Sequence, residues 1–359
     1  MEHKYYTVLK SFNLILNDYL NGYLFPKKSL LLYPLIKAID IRVVKNQINL
    51  ISELTEINIE GDSNYSLAQF LIEINSWLHN NKINKVEEKI VDTFFRENMN
   101  FSSSKKINNF IKNLNKYFLL NYTHFFGIHG SYSSNDYAEN ISDIDLVVIL
   151  KEECFFSVKK LMRIQNYIFS IRKRTYNFDL FQHHGLFILT ENYLNNYNEN
   201  FFPTNLFKLT KTIYSDRSSF KLDVIEDKSN KKEILKQTIE YLLNTDFSKL
   251  NFYEFKTYFQ VIQLLPISYL QFVKNFTDKK NSFNEFYNYY PEFKELYKNI
   301  YTLRINWVQP KAIKPIAFKQ HLFLKKTYYP SENLIKELKL LLNNNNFTQS
   351  LLKIKNETL

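Results

Sequence analysis

The chain has 359 residues, a formal net charge of +11, 45% hydrophobic residues, Gly 5 and Cys 1. One cysteine, Cys154, excludes an intrachain disulfide framework and a cysteine-built metal centre. The charge admits nucleotides, nucleic acid or an acidic membrane face as partners but selects none of them, because a Lys-rich chain from an AT-rich genome would carry the same excess.

The N-terminus, MEHKYYTVLK, lacks a basic stretch followed by an apolar one, which predicts no signal peptide and a cytoplasmic location. No apolar run approaches the roughly 20 residues of a membrane span. Residues 1–104 read as a mainly helical region. Tyr6–Leu20 and Ser66–Leu78 carry apolar residues at helical spacing, and Val86–Phe95 does so again. Pro26 interrupts the pattern, and Leu30–Leu50 fits neither period cleanly. Glu56, Glu60 and Asp62 form an acidic cluster that reads as a solvated loop rather than a metal site.

Residues 101–104 read as a linker ending in an N-cap, Ser104, before an amphipathic helix with Ile107, Phe110, Ile111, Leu114 and Phe118 on one face. A strand is predicted over Tyr122–His129, followed by a Gly130-Ser131 turn, a polar loop, and Asp143-Ile144-Asp145 opening the apolar run Leu146–Leu150. A run without alternation suits a central strand covered on both faces. On a strand, Asp143 and Asp145 share a face while Ile144 points into the core. Two neighbouring carboxylates at the head of such a strand are costly without a cation between them. A hard divalent ion, most simply Mg2+, supplies that charge.

A helix follows over Phe155–Arg174. Tyr176–Phe181 then reads as a strand carrying Asp179, and Leu186–Leu189 as another after His183-His184-Gly185. Beyond Tyr193 strands fade. Helices are predicted after Phe201-Phe202-Pro203, over Lys232–Asn244, Phe252–Phe272, Phe283–Leu303 and Glu332–Leu342, with Pro266 kinking or dividing the second of these four.

These residues resemble the nucleotidyltransferase superfamily typified by DNA polymerase beta. The resemblance rests on Gly130-Ser131, the Asp143-Ile144-Asp145 strand after a variable loop, and Asp179 on a later element, and it covers roughly residues 105–190. A Gln-His-His-Gly turn like that at 182–185 also occurs in bacterial members. The implied fold class is α+β, with a small mixed β-sheet core flanked by N- and C-terminal helical regions. The implied division is an N-terminal helical region at 1–104, a nucleotidyltransferase core at 105–215 and a C-terminal helical domain at 216–359.

The implied chemistry is in-line transfer of NMP from an NTP to a hydroxyl, with release of pyrophosphate. Two Mg2+ ions, or Mn2+ in their place, about 3.5–4 Å apart would clamp the attacking and leaving oxygens. Asp143, Asp145 and Asp179 are the implied metal ligands and catalytic residues, with Asp179 also accepting the hydroxyl proton. Gly130 and Ser131 would hold the nucleotide phosphates. His129 stands where the family usually has an apolar residue, and a phosphate contact and a packing role are both open to it. His183 and His184, as neighbours on a strand, point to opposite faces and cannot chelate one ion together; one of them is a candidate to line the active site while the other packs outward.

The helical stretch 231–303 corresponds to the domain that faces the metal site in the superfamily. Lys279 and Lys280 are candidate phosphate contacts there, against a reading as a solvated turn. Arg304 beside Trp307 is a candidate stacking or phosphate contact. Lys311, Lys314, Lys319, Lys325 and Lys326 carry no RNA-binding signature, so nucleic acid is not favoured and the acceptor reads as a small molecule or protein. Two alternatives stand beside this reading: a nucleotide-binding regulatory or antitoxin-like protein without turnover, and a terminal nucleotidyltransferase acting on RNA.

Overall fold

Apolar residues at three- and four-residue spacing wind Glu2–Leu20 into α1, which buries Val8, Phe12, Leu16 and Tyr19. The computed structural model describes residues 2–22, 41–61, 63–81, 88–91, 105–134, 137, 142–179, 182, 185–198, 207, 210–225, 228–274, 279–306 and 328–358. Helices α2 (Ile41–Thr55) and α3 (Asn64–Asn80) follow α1. Ser63 starts α3 by accepting a hydrogen bond from the Ser66 N–H at 2.9 Å.

The predicted helix over Val86–Phe95 is not formed where the structure describes it. Glu88–Val91 is a strand, β1, paired antiparallel with Phe220–Ile225. The apolar spacing in that segment suits either period, and the deciding partner lies more than a hundred residues away. The helix expected from Ser104 through Phe118 is two helices, α4 (Lys105–Lys112) and α5 (Lys116–Tyr122). Asn115 ends the first and caps the second, accepting from the Phe118 N–H. Ser104 itself lies outside the described residues.

Strand β2 (Thr123–His129) is buried along its whole length and leads through a short helical turn, α6 (Ser131–Ser134), toward β3 (Asp145–Leu150). Helix α7 (Val158–Thr175) crosses over to β4 (Phe187–Thr190), which lies parallel to β3. Strands do not fade after Tyr193, as the sequence suggested. After α8 (Glu191–Leu194) come β5 (Tyr197–Asn198), β6 (Lys211–Ser215) and β7 (Phe220–Ile225). One sheet has the order β4-β3-β2-β6 and is mixed, and a second has the order β1-β7-β5. The fold class is therefore α+β, as expected.

Helix α1 closes the open edge of β4 with side chains instead of a strand. Asn17 donates to the Ile188 carbonyl and accepts from the Ile188 N–H, each at 2.9 Å. One turn later Asn21 does the same to Leu186, at 3.0 and 2.7 Å. Four helical residues rise about 6.0 Å, close to the roughly 6.6 Å two-residue repeat of a strand, so two amides spaced i and i+4 match two peptides spaced i and i+2. The approach is close enough to require glycine at 185, where a Cβ would overlap the Asn21 amide. Asn21→Ala is expected to cost about 1–3 kcal/mol, because it strands a buried N–H and C=O together. Urea unfolding measures this, and an unchanged midpoint would mean that the strand edge finds other partners.

The remaining helices are α9 (Lys228–Asn244), α10 (Phe252–Lys274), α11 (Lys279–Tyr287), α12 (Phe293–Ile305), α13 (Glu332–Asn344) and α14 (Phe347–Thr358). They enclose their own apolar cluster, running from Leu235 to Ile354, whereas the first cluster runs from Tyr5 to Leu222. The single helix expected over Phe283–Leu303 is divided at Pro291 into α11 and α12. Pro266 does not divide α10, which runs on for 23 residues. A proline at 266 leaves the Ile262 carbonyl without its helical donor. The buried Tyr297 hydroxyl fills that role at 2.9 Å, which accounts for the continuous helix.

Candidate active site

The site forms where β2 and β3 end side by side. Their antiparallel register sets His129 opposite Asp145, so the turn that leaves β2 meets the residue that opens β3. Gly130 has φ 74, in the left-handed region that favours glycine. A Cβ at this position would collide with the Asp145 carboxylate, with the Asp145 Cγ only 3.2 Å away. The turn and the carboxylate are thus in direct contact. Ser133 fixes the turn from within, its N–H and hydroxyl both donating to the Gly130 carbonyl, at 3.1 and 2.8 Å. Ser131, at the head of α6, is partly exposed beside it.

Asp143 is buried at 8% exposure, Ile144 at 1%, and Asp145 is half-buried. β3 begins at Asp145, so Asp143 lies just before the strand rather than on it. The backbone of Ile144, between the two carboxylates, is held by the Gln182 side chain. Gln182 Oε1 accepts from the Ile144 N–H at 3.1 Å and its Nε2 donates to the Ile144 carbonyl at 3.0 Å.

Asp179 is not on a strand, which corrects the expectation for Tyr176–Phe181. Tyr176, Asn177 and Phe178 form a turn off the end of α7, and Asp179 follows it with its N–H directed to the Thr175 carbonyl. Leu180 and Phe181 lie outside the described residues. The alternation of Phe178 with its neighbours reflects a turn in which Phe178 packs edge-on against Phe110 and Tyr132. The Asp179 carboxylate is 1% exposed and forms an ion pair with Lys256 of α10, itself 1% exposed.

Asp143 and Asp145 suit a hard divalent cation by donor chemistry, and Asp145 lies against the Gly130 turn. Asp179 is engaged by an ammonium group. Among the described residues, no three His, Cys, Asp or Glu side chains are gathered so as to hold a metal ion.

The other predicted residues divide. His129 is buried and its ring packs edge-on against Phe187 at 5.2 Å. His183 and His184 lie outside the described residues, as do Asp62, Trp307 and the lysines between 311 and 326. Lys279 and Lys280 open α11 instead of standing in a turn. Arg304, at the end of α12, reaches back to the Ser142 hydroxyl at 3.4 Å, one residue before Asp143. Sequence reasoning missed Gln182 and Lys256. Lys256 carried a signal, because it sits on the apolar stripe of α10 between Phe252 and Phe259, and a lysine buried there needs a carboxylate.

The far end of the sheet is built differently. A cavity of about 430 Å³ there is lined by Glu152, Glu191, Arg217 and Lys221 among others. Beside it Asp216 meets His124 and Lys151, both at 3.0 Å. Burial alone would raise the Asp216 carboxyl, but hydrogen bonds from Lys151 and His124 outweigh it and hold the group below its usual range. Charges of both signs are matched here, so this end lacks the paired like charges of the other. No described helix is long and apolar enough to cross a membrane.

Residues 105–183 match the family model of the nucleotidyltransferase domain. No curated protein and no solved structure matches the chain. The matched segment begins at α4 and ends beside Gln182, so it contains the Gly130 turn, both strand-end carboxylates and Asp179. A domain of this kind implies an NTP as substrate. Residues 105–183 are therefore the part of the chain that is similar to a nucleotidyltransferase domain.

Proposed function

We propose that the chain is a metal-dependent nucleotidyltransferase that moves NMP from an NTP to a hydroxyl of a small molecule or protein. The observation that carries this reading is the contact between the Gly130 turn and the Asp145 carboxylate inside the matched segment. Nucleotidyl transfer needs a close-fitting phosphate cradle next to carboxylates that can hold cations, and a glycine turn packed on a carboxylate is consistent with that arrangement.

In this reading the acceptor oxygen attacks the α-phosphorus, the bond to the bridging oxygen breaks, and pyrophosphate leaves. Gly130 backbone groups and the Ser131 hydroxyl hold the leaving phosphates. Asp143 and Asp145 would hold Mg2+ or Mn2+, whose charge offsets the charge that gathers on the phosphoryl oxygens, and Asp179 would join them only by giving up its ion pair with Lys256. Released from Lys256, Asp179 would also be the group to take the acceptor's proton. The chain has no RNA-binding signature, which favours an acceptor other than nucleic acid.

The test is incubation with each α-labelled NTP, Mg2+ or Mn2+, and fractionated cell extract. Label is expected in the small-molecule or protein fraction together with pyrophosphate, and in neither with Asp143→Ala/Asp145→Ala. Label confined to RNA would move the acceptor to nucleic acid. Equal results for the chain and the double variant with every NTP would remove the reading altogether.

A further inference from the structure

Ile144 lies beyond the reach of both neighbouring strands. The β3–β4 pairing begins at Val147 with Phe187, and the β2–β3 pairing reaches only as far as Asp145 with His129. Ile144 itself therefore pairs with no strand residue, although it is 1% exposed. The Gln182 amide takes the place of one. A carboxamide carries a donor and an acceptor in one plane, as a peptide does. Its acceptor holds the 143–144 peptide through the Ile144 N–H, and its donor holds the 144–145 peptide through the Ile144 carbonyl. With both planes held, the directions in which Asp143 and Asp145 leave the backbone are set. Gln182 is anchored in turn, 1% exposed, with its own N–H donating to the Asp179 carbonyl at 3.2 Å.

We propose that Gln182 is a positioning residue of the nucleotidyl-transfer site, setting the spacing of Asp143 and Asp145 through the Ile144 backbone and tying that pair to the loop of Asp179. This rests on the functional reading above. Gln182 touches no reacting atom in this account; it acts through the two aspartates. The consequence concerns metal choice. Mg2+ demands near-ideal octahedral geometry and tolerates a misplaced ligand poorly. Loosening the pair should therefore harm Mg2+-supported turnover more than Mn2+-supported turnover.

The experiment compares the chain with Gln182→Met, close in size and unable to pair with the peptide, and Gln182→Glu, which keeps the acceptor and loses the donor. Melting temperature, Mn2+ binding followed by electron paramagnetic resonance, and kcat and KM with each metal are measured. For Gln182→Met, kcat with Mg2+ is expected to fall ~10²-fold, the scale of an ångström-sized misplacement. KM for NTP should move less, Mn2+ should restore part of the loss, and Mn2+ affinity should weaken. Gln182→Glu should show the same metal pattern, and it carries the test if the methionine variant does not fold. Equal losses with both metals and unchanged Mn2+ affinity in a folded variant would overturn the proposal. A parent chain that neither binds Mn2+ nor consumes NTP would overturn the functional reading along with it.

Discussion

Lys256→Met is expected to destabilise the chain by about 3–5 kcal/mol, the cost of leaving a buried charge without its partner. Lys256 and Asp179 are each 1% exposed, so water cannot take over the solvation of the remaining carboxylate. Joint replacement, Lys256→Met with Asp179→Leu, should recover most of the loss, since apolar substitutes for a buried pair are often neutral. The non-additivity is the informative quantity, because it isolates the pair from the side-chain truncations. Lys256 belongs to a helix of the second apolar cluster and Asp179 to a loop packed on the first. The loss should therefore appear in urea unfolding as weakened attachment between the two clusters, with earlier proteolysis at their junction. A loss under 1 kcal/mol with no recovery in the double variant would mean that Asp179 has another counter-charge.

What could be read in the sequence follows how local the cause was. Gly130-Ser131 and Asp143-Ile144-Asp145 were legible because each announces itself within a few residues: a glycine where the chain must turn back, and carboxylates directly before a continuous apolar run. The buried stripe of α7 was legible by its periodicity, and the strand expected over Tyr122–His129 by its place between an amphipathic helix and the Gly130-Ser131 turn. Strand β1 was not, since Glu88–Val91 is extended only because Phe220–Ile225 lies beside it. Strand β7 did carry a local signal. Phe220, Leu222 and Val224 alternate with Lys221 and Asp223, and the first two are buried.

The site was legible in part for the same reason. Two histidines drew attention to residues 182–185, while the groups with clear structural work there are their neighbours. Gln182 replaces a missing strand at Ile144, and Gly185 admits the Asn21 amide that closes β4. Neither role follows from the four residues alone, because each depends on a backbone brought close by the fold. Asp179 was identified by the resemblance, but its placement in a turn and its ion pair depend on where α10 docks.

Asp145→Asn is expected to lower nucleotidyl transfer by ~10³-fold or more, because it removes a full charge from the place where phosphoryl charge must be offset. The fold should tolerate it, since Asp145 is half-buried and the amide matches it in shape. Gly130→Ala tests the same contact from the other side. At φ 74 an alanine costs about 1–2 kcal/mol in backbone strain, and its methyl group would strike the Asp145 carboxylate. Turnover should fall ~10²-fold, as expected for a displaced ligand rather than a lost one. The two effects should not add. Once Asp145 is alanine, a methyl group at 130 has no carboxylate to displace, so Gly130→Ala/Asp145→Ala should be no slower than Asp145→Ala, and its added instability should shrink to the strain alone. Additive losses would mean that Gly130 acts on the nucleotide independently of Asp145. Near-native turnover in Asp145→Asn would place the charge that matters elsewhere in the chain.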